Sequence, residues 1–124
     1  MNRRTFFLGA TSAAGSLLAQ ARSLKLGIIG CGWYGGVDAR AAWKAGGAEV
    51  TALCDADIKH LEETADLCAK EQSGRRPALL TKDYKELLNA PGLDGVIIAT
   101  PPHWHALPFI AACEKKLPVY MEKP

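Results

Sequence analysis

The sequence has 124 residues, 48% of them hydrophobic and 23% charged, a balance that excludes a disordered or fibrous chain and leaves room for one globular domain. The formal charge is +2; Arg3 and Arg4 supply all of that excess, because the other thirteen Lys and Arg are matched by thirteen Asp and Glu. No basic surface remains to bind nucleic acid.

Residues 1–21 open with Arg3-Arg4, continue through Thr5-Phe6-Phe7-Leu8 and a mildly apolar Gly/Ala/Ser/Leu run, and end in Ala19-Gln20-Ala21. A charged start, an apolar middle and an A-x-A cleavage site make an export signal. Gly9, Thr11, Ser12, Gly15 and Ser16 interrupt the run, so it is too weakly apolar for a membrane span of ~20 residues, and no stable anchor is expected. The Arg pair with Phe7 and Leu8 behind it resembles the twin-arginine signal, a receptor-read address for proteins exported already folded. It implies a periplasmic protein that loads its cofactor in the cytoplasm; a cytosolic enzyme with an N-terminal extension is the alternative. The domain itself then occupies residues 22–124.

Leu24 to Ile29 is apolar apart from Lys25, as a buried strand should be, and it runs into Gly30-Cys31-Gly32-Trp33-Tyr34-Gly35. In this G-x-G-x-x-G spacing Gly30 makes the tight turn, Gly32 lets a phosphate approach the backbone, and Gly35 lets the next helix lie close on the strand. Trp33 and Tyr34 stand between the glycines on the same cofactor-facing loop. Val37, Ala41, Ala42 and Ala45 fall on one face of that helix until Gly46-Gly47 ends it. Its free N–H groups and dipole make an anion site that needs no Lys or Arg.

Ala48 to Cys54 reads as a second strand with Asp55 at its end. An acid there accepts hydrogen bonds from the two hydroxyls of an adenosine ribose and repels a 2′-phosphate. NAD is therefore expected over NADP, with Lys59 the residue best placed to upset the choice. Ile58, Leu61, Ala65 and Cys68 recur at helical spacing from Asp57 to about Gln72, and Ser73-Gly74-Arg75-Arg76-Pro77 ends that helix in a solvated turn. A short strand near Ala78 to Leu80 follows, then a third helix opening at Asp83-Tyr84-Lys85-Glu86 with a carboxylate-x-x-Glu cap and stopped by Asn89-Ala90-Pro91-Gly92.

Asp94 to Ala99 contains Val96-Ile97-Ile98, a buried parallel strand that delivers Thr100-Pro101-Pro102-His103-Trp104-His105 to its carboxyl end, where open α/β sheets bind ligands. Pro101 and Pro102 predict an extended loop, and Pro108 predicts a helix beginning near His105 or Ala106, with His105 facing the cofactor edge and Leu107, Ile110 and Ala111 on the apolar face. Trp104 is open between packing and stacking on a ligand. His103 and His105 have no third ligand at metal spacing, so no metal is expected. The four cysteines, Cys31, Cys54, Cys68 and Cys113, form no C-x-x-C pair and read as small buried residues. Cys31 and Cys54 end adjacent strands, which leaves a bridge between them open in an oxidising compartment. Pro118 to Pro124 reads as a final strand with no helix after it, and hence as a chain truncated at a functional edge.

Strands alternating with helices predict an α/β fold, a Rossmann-type doubly wound parallel sheet. Gly30 to Gly35, Asp55, Ala99-Thr100-Pro101-Pro102 with His105, and Glu122-Lys123-Pro124 resemble, in order, the Gfo/Idh/MocA family of NAD(P)-dependent oxidoreductases. The resemblance implies that Lys123 is catalytic and that Glu122, Thr100, Pro101 and His105 lie on the cofactor side. The chemistry suits a Lys, because a hydride leaving a carbinol carbon requires its hydroxyl proton to be removed or its alkoxide stabilised. It further implies a second α+β domain, absent here, that supplies more catalytic residues and a homo-oligomer contact, so that this piece alone binds dinucleotide without turning over substrate. Three functions follow for the parent protein: a sugar or polyol oxidoreductase, an NAD-retaining glycosidase acting by transient oxidation and elimination, and a non-catalytic dinucleotide-binding module.

Overall fold

The computed structural model describes residues 22–123; the export signal expected in residues 1–21 lies outside them. Five parallel strands, β1 (Leu24–Ile29), β2 (Ala48–Cys54), β3 (Leu79–Thr81), β4 (Gly95–Ile98) and β5 (Val119–Met121), form one sheet in the order β3-β2-β1-β4-β5. The helices α1 (Trp33–Ala45), α2 (Ile58–Glu71), α3 (Tyr84–Leu88) and α4 (Ala106–Glu114) make the crossovers. This is the expected Rossmann-type doubly wound sheet, and its order reverses between β1 and β4, where the carboxyl ends of the strands open a crevice.

Alternation along each strand divides the core into two layers. Ile28, Leu53 and Ile97 pack with Ala39, Leu61, Ala65 and Cys68 under α1 and α2. Their strand neighbours Ile29, Ala52, Cys54, Val96 and Ile98 pack with Leu87, Leu88 and Ala112 under α3 and α4. Both faces are covered, which is why these strands read as unbroken apolar runs. All four β4 residues are buried.

The helix faces differ from the periodicity reading. On α1 the buried residues are Gly35, Gly36, Asp38 and Ala39, while Val37, Ala41 and Ala45 are exposed. On α4 the buried residues are Pro108 and Ala112, while Leu107 and Ile110 are about half exposed (54% and 52%). Ile58 at the start of α2 is likewise exposed. Close approach to the sheet is the reason: the backbone of α1 lies so near β1 that a Cβ on Gly35 would stand 2.1 Å from the Gly30 carbonyl oxygen. Small side chains therefore face inward, and the bulkier ones are turned out.

Local polar contacts set the ends of the elements. Asp57 and Asp83 cap α2 and α3, their side chains accepting from the Lys59 and Lys85 N–H groups. Glu86 does not reach back to the cap as a capping box requires. It accepts from the Thr81 hydroxyl at 2.7 Å, and that hydroxyl accepts the Asp83 N–H at 3.0 Å. Gln72, 4% exposed, accepts from Val50 N–H at 2.6 Å and Trp43 Nε1–H at 2.8 Å and donates to the Val50 and Arg75 carbonyls. It fastens the end of α2 to β2 and α1.

Candidate cofactor and active site

An open cavity of about 880 Å³ lies above the carboxyl ends of the strands, and four of the chain segments around it carry the expected residues. The first is the glycine loop. Gly30 turns with φ +96°, and a Cβ there would stand 2.6 Å from Thr100 N, so the loop closes directly on the segment after β4. Gly32 has an ordinary φ of −74°, and a Cβ on it would meet nothing within 4 Å. Its missing side chain leaves room in the cavity, since the backbone at this point is one any residue adopts. α1 begins at Trp33 with no side chain capping it, so its first N–H groups are open to an anion.

The second segment is the end of β2. Asp55 lines the cavity with a side chain 14% exposed; its Oδ2 accepts from Cys31 N–H at 2.7 Å and its Oδ1 from Asp57 N–H at 2.8 Å. The third is the turn after β4. Thr100, Pro101, Pro102 and Trp104 line the cavity, Pro101 extended and residues Pro102–Trp104 wound into a 3₁₀ turn where an extended loop was expected. The fourth is the end of β5, which brings Glu122 and Lys123 to the cavity wall.

Of the residues expected from the sequence, Gly30, Gly32, Trp33, Tyr34, Asp55, Thr100, Pro101, Glu122 and Lys123 meet at this cavity. Two stand behind it. Gly35 lies under the loop, against Gly30. His105 is 7% exposed and is not among the residues lining the cavity: its Nδ1 is 2.7 Å from Oγ1 of Thr100, which does line it. Trp104, open between packing and stacking, is 55% exposed at the cavity, free to stack on a ligand. Lys59 is turned toward Glu63, 3.9 Å away.

Sequence reasoning missed His60 and Lys82, which line the Asp55 end. His60 Nδ1 lies 3.5 Å from Asp55 Oδ2 and its Nε2 3.8 Å from Asp57 Oδ2; the i, i+3 step from the Asp57 cap is the one local signal for it, and nothing local marks Lys82. All four cysteines are free, Cys31 and Cys54 included. Burial first, then the Asp55 charge, pushes the Cys31 thiol well above its usual range, so it stays protonated beside the carboxylate. Among the described residues no group of three His, Cys, Asp or Glu is arranged to hold a metal ion.

A glycine cradle open where a side chain would intrude, an uncapped helix start and a pre-oriented carboxylate fit a dinucleotide along the crevice. The family model for oxidoreductases with an NAD-binding Rossmann fold matches residues 24–124. The chain belongs to the Gfo/Idh/MocA family. It is 35% identical to a glycosyl hydrolase family 109 protein of Stenotrophomonas maltophilia, covering 98% of this chain and 29% of that protein. It is 31% identical to inositol 2-dehydrogenase 4 of Saccharopolyspora erythraea, covering 83% of this chain and 29% of that one. An oxidoreductase of Agrobacterium radiobacter, solved with NAD+, L-tartaric acid and magnesium, superposes with a TM-score of 0.70 at 31% identity, covering 82% of this chain and 28% of its own. The chain thus spans less than a third of the length of these relatives. It is the family's NAD-binding domain.

Proposed function

We propose that this chain is the nucleotide-binding part of an exported oxidoreductase that moves a hydride between a carbinol of a sugar or polyol and NAD. The observation that carries the reading is that Asp55, from β2, and Lys123, after β5, line one cavity with the glycine loop between them. The loop amides and the start of α1 receive the pyrophosphate. Asp55, already oriented by two backbone N–H groups, accepts from the adenosine ribose and disfavours a 2′-phosphate. The dinucleotide, when bound, supplies the hydride acceptor. Lys123 takes the hydroxyl proton of the carbinol, or returns it in the reverse direction, and Thr100, held by His105, presents its hydroxyl to the same edge.

The inositol dehydrogenase relative supports a polyol or sugar substrate. The glycosyl hydrolase relative supports a second reading, a glycosidase that retains NAD through a cycle of oxidation, elimination and re-reduction. Export by the twin-arginine route, a downstream second domain and a homo-oligomer formed through that domain complete the proposal; the Arg3-Arg4 signal supports the first.

The test gives the full-length parent candidate sugars, polyols and glycosides with NAD+. Stoichiometric NADH supports the dehydrogenase, and released sugar without net NADH supports the glycosidase. Unchanged turnover in Lys123→Ala would overturn the lysine's role, and NAD+ binding with no turnover of any candidate would overturn both readings and leave a non-catalytic dinucleotide-binding module.

A further inference from the structure

The ribose end of the cavity holds a cluster that the proposed hydride transfer does not use. His60, on the first turn of α2, lines the cavity between two carboxylates: its Nδ1 lies 3.5 Å from Asp55 Oδ2 and its Nε2 3.8 Å from Asp57 Oδ2. Both acids are held in place. Asp55 accepts from the Cys31 and Asp57 N–H groups, and Asp57 caps α2 by accepting from Lys59 N–H at 2.8 Å. Each ring nitrogen therefore faces an acceptor. A neutral imidazole carries one N–H for the two of them, and an imidazolium carries two.

The same fold sets the other charges around the imidazole. Asp55 N–H donates to the Thr81 carbonyl at 3.2 Å, which brings Lys82, Asp83 and Tyr84 to the cavity beside it. On α2 itself Lys59 is paired with Glu63 at 3.9 Å. The glycine loop contributes Tyr34, and Glu122 and Lys123 line the cavity from the end of β5. Burial keeps the Cys31 and Cys54 thiols protonated. Imidazole is the side chain whose charge changes between about pH 5 and about pH 8, and His60 is the imidazole among the described residues that line this cavity.

We propose that His60 is a specificity-determining residue for the dinucleotide: uncharged, it leaves the Asp55 carboxylate to select a free ribose, and protonated, it turns the same end of the cavity toward a 2′-phosphate. This role rests on the reading of Asp55 as the ribose acceptor and deepens it. With the imidazole neutral, a 2′-phosphate meets Asp55, Asp57 and Asp83 with Lys82 as the cation on that wall. With the imidazole charged, a second cation stands between the two nearest acids. A phosphate bound there favours the imidazolium in return, so NADP+ binding takes up a proton and tightens as pH falls. NAD+ has no phosphate at that position, and its affinity stays nearly level. The His60 side chain is 44% exposed, and exposed pairs are weak, so the effect is a several-fold narrowing of the preference for NAD+ rather than its reversal.

The experiment titrates the full chain with NAD+ and with NADP+ at low ionic strength, at about pH 5.5 and about pH 8, in wild type, His60→Gln and His60→Lys. The 2′-phosphate has its own proton, with a pKa of about 6, and burial pushes Asp38, behind α1, up to about 6; both titrations are common to the three proteins and cancel in the comparison. On going to the lower pH, the wild-type preference for NAD+ is expected to narrow by ~3-fold to ~5-fold more than that of His60→Gln. His60→Lys is expected to hold the narrowed preference at both pH values. Equal pH dependence in wild type and His60→Gln, with Asp55→Asn still weakening NAD+, overturns the role of His60 alone. Unchanged NAD+ affinity in Asp55→Asn, or no binding of either dinucleotide to the wild type, overturns the ribose reading and the role of His60 with it.

Discussion

Cys31 N–H donates to Asp55 Oδ2 at 2.7 Å, so the carboxylate proposed for the ribose also holds the glycine loop proposed to receive the phosphates. In that proposal two parts of a dinucleotide are gripped by one coupled unit, ordered before the ligand arrives. Replacing Asp55 with Asn removes an acceptor from this unit and removes the negative charge. The expected outcome is NAD+ binding weakened by ~10-fold to 100-fold, ~1.4–2.8 kcal/mol, with NADP+ binding weakened less because its 2′-phosphate no longer meets an anion. Calorimetry of the variant with both dinucleotides checks this; a proportional loss for both would show that Asp55 only shapes the loop.

Gly32 and Gly35 separate binding from folding. Gly35→Ala puts a methyl 2.1 Å from the Gly30 carbonyl oxygen, forcing α1 off the sheet at a cost of ~2–4 kcal/mol. Gly32→Ala meets open space and costs the fold about 1 kcal/mol at most, yet fills room the ligand needs. Urea unfolding should show the first variant strongly destabilised and the second close to wild type, whereas NAD+ titration should show the second bound at least several-fold more weakly.

Gln72 joins three elements while almost fully buried. Gln72→Leu keeps the volume but leaves Val50 N–H and Trp43 Nε1–H without their acceptor, which costs ~2–4 kcal/mol in sum. Chemical denaturation should register that loss. A change below about 1 kcal/mol would mean water or a shifted Arg75 segment replaces the side chain.

Cysteine reactivity follows burial. Burial raises Cys54 and Cys68 to about 12 and takes Cys31 higher still, while Cys113 is exposed. A thiol-exchange reagent at neutral pH should titrate Cys113 promptly in the native chain and reach the other three only after denaturation. Prompt reaction of Cys31 would mean that the loop opens more readily than its contact with Asp55 implies.

The strands and the phosphate loop were legible because burial on both faces leaves short apolar runs, and because Gly30, Gly32 and Gly35 each answer a local steric demand. The helix faces were not. Periodicity weights Val37, Leu107 and Ile110 heavily, but the sheet admits only the small residues Gly35, Ala39 and Ala112 at close range, so the bulky stripe faces out. The interior of the site was legible in part: Asp55 and Lys123 come at strand ends, where ligands bind. His60 was marked only by its i, i+3 step from the Asp57 cap, and Lys82 reaches the cavity through the pairing of β3 with β2, which no local pattern marks. His105 was expected at the cofactor edge and is instead buried behind it against Thr100, because a residue at a helix start points either along the helix or under it, and only the packed turn decides.

Two groups at the ribose end, His60 and Lys82, line the cavity beside Asp55 and are able to attract a 2′-phosphate. The balance between them and the carboxylate is read by titrating the unmodified chain with NAD+ and with NADP+ in a calorimeter at one pH and ionic strength. One saturable site that takes NAD+ at least ~10-fold more tightly, ~1.4 kcal/mol, is what a ribose-binding Asp55 predicts. Tighter binding of NADP+, or no binding of either, would contradict it.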